Sequence, residues 1–230
     1  AAESALLRIF RELLGAPGGP DDDFFARGGH SLLATRLVAR VEAELEATLP
    51  LRAVFETPTV RGLAALLQET TAPLSLVQQR LWFLDRLQPG NSAYHLAWAF
   101  ELRGELDQPA LQAALDELAA RHGSLRTRFR DRDGEPEQVV GPPAGLPLQV
   151  VTAEPSLVAT RAGDFAALPF SLDSGPLVRA LLVGSGPGLH TLVLVVHHSV
   201  ADGWSFGVLS RELAGLYGAA RRGEKADLPA

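Results

Sequence analysis

Apolar residues recur at three- and four-residue spacing in separate blocks over the first seventy positions, the mark of short amphipathic helices. Leu6, Leu7, Ile9, Phe10, Leu13 and Leu14 give a first helix, ended by Gly15 and Pro17. A loop rich in Gly, Pro and Asp, GAPGGPDDDFFARGGH, follows. A second helix is expected to start near Ser31, with Leu32, Leu33, Leu37, Val38, Val41 and Leu45 on its buried side. Two shorter ones are expected around Leu51 to Phe55 and from Thr59 to Leu67, where Pro58 suits a helix start.

The periodicity lapses at Glu69-Thr-Thr-Ala-Pro73, and small residues with a proline make this stretch a candidate linker at 71–74. It divides the chain into an expected domain at 1–70 and a second at 75–230. Beyond the linker the pattern is mixed. Leu76 to Leu87 and Asp107 to Arg121 read as helices, the latter with Asp107 at the N-cap, and Ala93 to Leu102 alternates as a strand. Leu125–Arg130 and Pro136–Val140 flank Asp133-Gly134, a strong hairpin signal. Leu177–Val183 and Leu189–Val196 flank a glycine-rich turn and read as a second hairpin. Its last strand, LHTLVLVV, is nearly continuous in apolar residues and so is expected to be buried on both faces. A final helix is expected from Trp204 to Ala220. Neither internal repeats nor low-complexity tracts occur.

Composition narrows the function classes. At 230 residues, 47% hydrophobic and 21% charged, the chain can bury a substantial core in one large domain or two smaller ones. No apolar run reaches the roughly 18 residues of a membrane span. The start, AAESALLRIFRELLG, is amphipathic rather than a signal peptide, so a soluble, cytoplasmic protein is expected. There is no cysteine, which excludes disulfides and thiolate chemistry. A formal net charge of −6, with Lys225 as the only lysine and no basic cluster, argues against nucleic acid or an anionic membrane as partner.

Two places carry chemistry. Ser31 follows Gly28-Gly29-His30 and opens a helix, where an N-cap role is a sufficient reason for a serine. The adjacent glycines also let a partner approach the backbone, and a helix N-terminus stabilises an attached phosphate. His197 and His198 end the buried strand, with Asp202 and Gly203 in the turn that follows. Adjacent strand residues face opposite sides, so the two imidazoles cannot share one task. Either can be a packed, hydrogen-bonded residue. A metal site lacks a third ligand at helical spacing, and none is expected. A histidine aimed into a cleft could accept a proton from an attacking amine, Asp202 could anchor the turn by pairing with an arginine, and the Gly203 N–H could face an oxyanion.

The run Asp23-Phe24-Phe25-Ala-Arg-Gly28-Gly29-His30-Ser31-Leu32-Leu33-Ala34 resembles the core of peptidyl carrier (thiolation) domains of nonribosomal peptide synthetases. The resemblance implies an all-α four-helix bundle whose Ser31, beside Gly29 and His30, carries covalent 4′-phosphopantetheine. Arg27 stands where that family usually has an apolar residue. His197-His198-Ser199-Val200-Ala201-Asp202-Gly203-Trp204-Ser205 is similar to the active-site motif of condensation domains. Leu74–Leu84 and Arg121–Phe129 are similar to two further motifs of that family, in the same order. This implies an α/β (α+β), chloramphenicol-acetyltransferase-like lobe, with His198 catalytic, His197 and Asp202 largely structural and Gly203 lining the reaction channel. Arg126, Arg179 or an arginine beyond this chain are the candidate partners for Asp202. Gly123 stands where the family usually has glutamate.

The resemblance further implies a carrier that donates an aminoacyl or peptidyl thioester to a condensation domain, which forms a peptide bond with the aminoacyl thioester of a downstream carrier. The implied partners are a phosphopantetheinyl transferase, an upstream adenylation domain, that downstream carrier and the condensation C-terminal lobe. Only the N-terminal lobe is expected here, so the isolated chain is expected to be inactive in condensation. Two other readings stay open: an epimerisation domain after a carrier, disfavoured by Asp202-Gly203-Trp204-Ser205-Phe206, and a non-catalytic carrier-plus-docking module.

Overall fold

A computed structural model describes residues 2–45, 47–132 and 134–229. The chain divides into two compact units, Ala1–Glu69 and Thr70–Ala230.

The first unit is helical. Helix α1 (Ala2–Leu14) is amphipathic and buries Leu6, Ile9 and Phe10. It stops at Gly15, whose φ of 64° is the left-handed conformation that ends helices. Helix α2 (Ser31–Leu45) buries Ala34, Leu37 and Val41. Helices α3 (Leu51–Glu56) and α4 (Val60–Leu66) bury Val54 and Val60, Leu63 and Ala64, and Thr59 caps α4 by accepting the N–H of Gly62. These residues close one core around Phe24, itself fully buried.

The second unit has two sheets. Strand β1 (Thr70–Pro73), β4 (Glu135–Val140) and β3 (Thr127–Arg132) form an antiparallel sheet in the order β1-β4-β3. The stretch expected as a linker at 71–74 is therefore largely hydrogen-bonded backbone, with Thr70 opposite Val140 and Pro73 opposite Glu137. The hairpin between β3 and β4 is present. Asp133 of its turn lies outside the described residues, and Gly134 supplies a φ of 90°.

The larger sheet runs β2 (His95–Arg103), β7 (Leu189–His197), β6 (Val178–Gly186), β5 (Leu148–Thr152). It is antiparallel except for the parallel β5–β6 edge. Strand β7 lies inside the sheet and buries Leu192 through Val196, as its continuous apolar run requires. One face of the sheet packs Ala180, Leu182, Leu194 and Val196 against helices α6 (Gln108–Arg121) and α8 (Gly203–Arg222). The other packs Leu181, Val183, Val193 and Val195 near Phe165 of α7 (Val158–Ala167). Helix α5 (Leu76–Leu87) begins with a capping box between Ser75 and Gln78, and Asp107 caps α6 through the N–H of Ala110. Strand β5 and helix α7 have no counterpart among the elements expected from the sequence.

Candidate functional site

Ser31 is the first residue of α2, and the helix is capped one position earlier: the His30 carbonyl accepts the N–H of Ala34 at 2.9 Å. The N-cap reading of Ser31 is thereby corrected, because its hydroxyl is one residue too far into the helix to take that role. Ser31, His30 and the neighbouring Leu32 are all exposed. Among the described residues the Ser31 hydroxyl makes no hydrogen bond.

The mount under Ser31 is stiff. Asp23 Oδ1 accepts the N–H groups of Phe25 at 2.8 Å and Ala26 at 2.9 Å, shaping a turn that ends at Gly28 with a φ of 96°. Gly29 lies against Phe24 so closely that a Cβ there would be 2.4 Å from the ring, and its N–H donates to the Phe24 carbonyl at 2.9 Å. Phe24 is edge-on to Phe10 at 5.1 Å and to Phe25 at 5.4 Å, and Phe25 stacks on Phe55 at 5.0 Å. Arg27 ties back onto the preceding loop, donating to the Pro17 carbonyl and lying 3.8 Å from Asp22. The result is an exposed hydroxyl at the positive end of a helix, with the Gly28-Gly29 backbone beside it. That is a fit for a phosphodiester of pantetheine on Ser31 Oγ.

In the second unit the histidines separate as strand geometry demands. His197 is buried, at 3% exposure, opposite His95 in the β2–β7 register. Its Nδ1 accepts the Ser199 hydroxyl at 2.7 Å and the Ser199 N–H at 3.2 Å, so the ring hydrogen sits on Nε2. The rings of His95, Phe170 and Tyr94 surround it at 6.0, 6.2 and 6.5 Å. Burial, followed by repulsion from His95 and His198, pushes this imidazole down to about 4.

His198 is half-buried. Its backbone N–H donates to the Tyr94 carbonyl at 2.8 Å, and its ring Nδ1 lies 2.9 Å from the Ala201 carbonyl. A carbonyl only accepts, so Nδ1 carries the hydrogen and Nε2 keeps its lone pair. The turn is held from outside by Gln78 of α5, whose Nε2 donates to the Ser199 carbonyl at 3.3 Å.

Among the described residues Asp202 makes no ion pair with an arginine, so neither Arg126 nor Arg179 is its partner here. Asp202 is the N-cap of α8, and the Ser205 N–H, followed by the Ser205 hydroxyl, holds its carboxyl below the usual carboxylate range. Arg126 instead donates to the carbonyls of Ala119 at 3.0 Å, Ala120 at 3.3 Å and Gly141, fastening the end of α6 to β4. Arg179 also serves backbone carbonyls. Gly203 is the first residue of α8, exposed and with open space where a Cβ would stand. At Gly123 no side-chain carboxylate is available, and Glu212 of α8 supplies one to this joint, bonding His122 at 2.7 Å and Arg121 at 3.0 Å.

Residues 68–230 match the Condensation domain family, and residues 4–67 match the Phosphopantetheine attachment site family. The chain belongs to the condensation-domain family, with a phosphopantetheine-bearing carrier domain ahead of it. It is 40% identical to malpibaldin synthetase of Mortierella alpina over 96% of its own length, and 38% identical to surfactin synthase subunit 2 of Bacillus subtilis (strain 168) over 94%. It spans only 4% and 6% of the length of these two relatives. Among solved structures, the first condensation domain of the calcium-dependent antibiotic synthetase, in complex with a substrate analogue, is 28% identical with a TM-score of 0.64, over 70% of this chain and 40% of that one. The X-domain from teicoplanin biosynthesis is 34% identical with a TM-score of 0.64, over 68% of this chain and 34% of that one. The carrier family implies covalent 4′-phosphopantetheine, and the chemistry around Ser31 accommodates it. Sequence reasoning named Ser31, His198 and Asp202, but not the bond of His197 to Ser199 nor its Tyr94 and Phe170 surroundings, the latter two from elements distant in the chain.

Proposed function

We propose that this chain is a donor carrier followed by the N-terminal lobe of a condensation domain in a nonribosomal peptide synthetase. The carrier occupies 1–70, the junction 71–74 and the lobe 75–230. Ser31 is the attachment point, flanked by Gly29 and His30. When attached, 4′-phosphopantetheine supplies a terminal thiol that carries an aminoacyl or peptidyl group as a thioester. His198 Nε2 holds or accepts a proton of the attacking amine, and its Nδ1–H bond to Ala201 prevents the ring from turning away. His197 shapes the turn, Asp202 fixes the start of α8, and the Gly203 N–H faces the oxygen on which negative charge develops.

The observation that carries this reading is the exposed Ser31 hydroxyl, unspent on capping. An N-cap serine would have that oxygen bonded. The partners of the reading are a phosphopantetheinyl transferase, an upstream adenylation domain, a downstream carrier and the condensation C-terminal lobe, in the cytoplasm. Trp204, 85% exposed at the start of α8, and Leu76, 83% exposed at the start of α5, suit a surface covered by that second lobe. No described helix is long and apolar enough to cross a membrane.

The test is intact mass after incubation with coenzyme A and a phosphopantetheinyl transferase. A pantetheine-sized increase is expected, and it should vanish in Ser31→Ala. An increase that survives Ser31→Ala overturns the assignment. In a chain extended to the full condensation domain, His198→Ala should lower turnover by about 10²-fold or more.

A further inference from the structure

The rings around His197 lead to a half-buried cation that the reaction above does not use. Arg179, on β6, has no carboxylate within ion-pair distance among the described residues. Its Nη1 donates to the Pro169 carbonyl at 3.2 Å, and its Nη2 donates to Ala166 at 3.3 Å and to Leu168. Its Cζ stands 4.0 Å from the centroid of Phe170 and 5.4 Å from that of Phe165. Nε is buried and has no hydrogen-bond partner among the described residues. A half-buried cation without a counterion carries a desolvation cost, and a lysine could not serve three carbonyls and two ring faces at once.

The groups that Arg179 grips form the surroundings of His197. The three carbonyls lie at the end of α7 and in the segment after it, where the helix dipole favours a cation. Phe170, covered on its face by the guanidinium, meets His95 at 4.9 Å and 74° and His197 at 6.2 Å and 82°. The Ala166 carbonyl, bonded to Arg179, also accepts His95 Nδ1–H at 2.8 Å, which orients the His95 ring 6.0 Å from His197. Apart from Tyr94 and His198, every ring facing His197 is thus placed by Arg179 or by a group it holds. His197 in turn accepts from Ser199, the residue directly after His198.

We propose that Arg179 is a positioning residue for the turn that carries His198, acting through Phe170, His95 and the end of α7 on His197. Charge adds to geometry. Burial first, and then the Arg179 cation, hold His95 below the ordinary imidazole range, while the Ala166 carbonyl works in the opposite direction. A protonated His197 could not accept the Ser199 N–H through Nδ1, so keeping the cluster neutral preserves the turn.

The test has a spectroscopic arm and a kinetic arm, and only the kinetic arm rests on reading His198 as the base. In the 230-residue protein, side-chain 15N–1H NMR follows the histidine tautomers and titrations. Arg179→Met is expected to raise the His95 midpoint and to remove the fixed Nε2–H tautomer of His197. Arg179→Lys should keep the His95 midpoint low while still loosening the tautomer. Arg161→Met, at an exposed position on α7, should match wild type. In the full condensation domain, Arg179→Met should lower kcat by about tenfold with KM for the acceptor within about twofold, and should shift the acid limb of the kcat profile upward. Unchanged histidine spectra and unchanged kcat in Arg179→Met overturn the proposal. If that variant does not fold, Phe170→Leu replaces it, and an unaltered His197 tautomer there overturns it equally. Full turnover in His198→Ala would remove the base reading while leaving the spectroscopic result to decide the role of Arg179.

Discussion

The Asp202 carboxylate caps α8: its Oδ1 accepts the Ser205 N–H at 2.8 Å and the Ser205 hydroxyl at 2.7 Å, and Ser205 Oγ accepts the Asp202 N–H at 3.2 Å. This reciprocal box pins the first turn of a 20-residue helix directly after the histidine turn. Capping and ion pairing predict different outcomes on substitution. Asparagine caps a helix about as well as aspartate. Asp202→Asn should therefore leave the stability of this 230-residue chain nearly unchanged, whereas Asp202→Ala should lose about 1 kcal/mol, measured by urea unfolding.

The buried His197 makes the second unit acid-sensitive. In the unfolded chain this imidazole takes its proton near its ordinary value, whereas in the fold it resists until about 4. Between those values the unfolded state binds more protons, so stability is greatest above the unfolded value and declines as pH falls toward 4. The loss from this group should approach about 3 kcal/mol. Unfolding of the wild type between pH 7.5 and 4 should show the decline, and His197→Leu should flatten it while lowering stability at pH 7.5.

The loop ahead of α2 predicts a split between two of its glycines. Gly29→Ala would drive a Cβ to 2.4 Å from the Phe24 ring and 2.6 Å from its carbonyl oxygen, so it should destabilise the bundle by about 1–3 kcal/mol and slow loading of Ser31. Gly19→Ala, with open space around it, should change neither. Thermal unfolding and a loading time course followed by mass decide this.

Phe24, fully buried, joins the turn below Ser31 to the core of the bundle. Phe24→Ala should destabilise the first unit by about 3–5 kcal/mol and reduce loading in proportion to the unfolded fraction. Circular dichroism melts alongside loading rates check both effects.

Glu212 is 13% exposed at its side chain and holds Arg121 and His122 together. Glu212→Gln should cost about 1.5–3 kcal/mol, since the Arg121 and His122 N–H groups both lose a charged acceptor. Gly123→Ala should be milder, because its Cβ would lie 3.3 Å from Val140 Cγ1 and 4.0 Å from Arg126 Nη2, both ends of side chains. Paired denaturation curves measure the difference.

The elements legible in the sequence are those with strong one-sided burial or a local stop signal. Helix α1 shows its buried face at Leu6, Ile9 and Phe10 and ends at a left-handed glycine. Strand β7 declares itself by an unbroken apolar run, and Asp107 marks the start of α6. Strand β5 was hidden because four of its five residues are exposed, and α7 because it buries only Phe165. Strand β1, Thr-Thr-Ala-Pro, is exposed throughout, and only its pairing with β4 makes it a strand.

The site divides in the same way. The sequence by itself determined which residues carry chemistry: a serine at a helix start behind two glycines, and two histidines that alternation at the end of a strand must send to opposite faces. Tertiary structure decided what each of them does. Whether Ser31 caps its helix depends on one residue of register, set by the Asp23 turn and the packing of Gly29 on Phe24. Which nitrogen of His198 keeps its lone pair depends on the Ala201 carbonyl, and the neutrality of His197 on burial among Tyr94, His95 and Phe170, which come from two other stretches of the chain. Hydrogen-bond direction and desolvation are properties of neighbours in space, and those neighbours are assembled only when the sheet and its helices close around the turn.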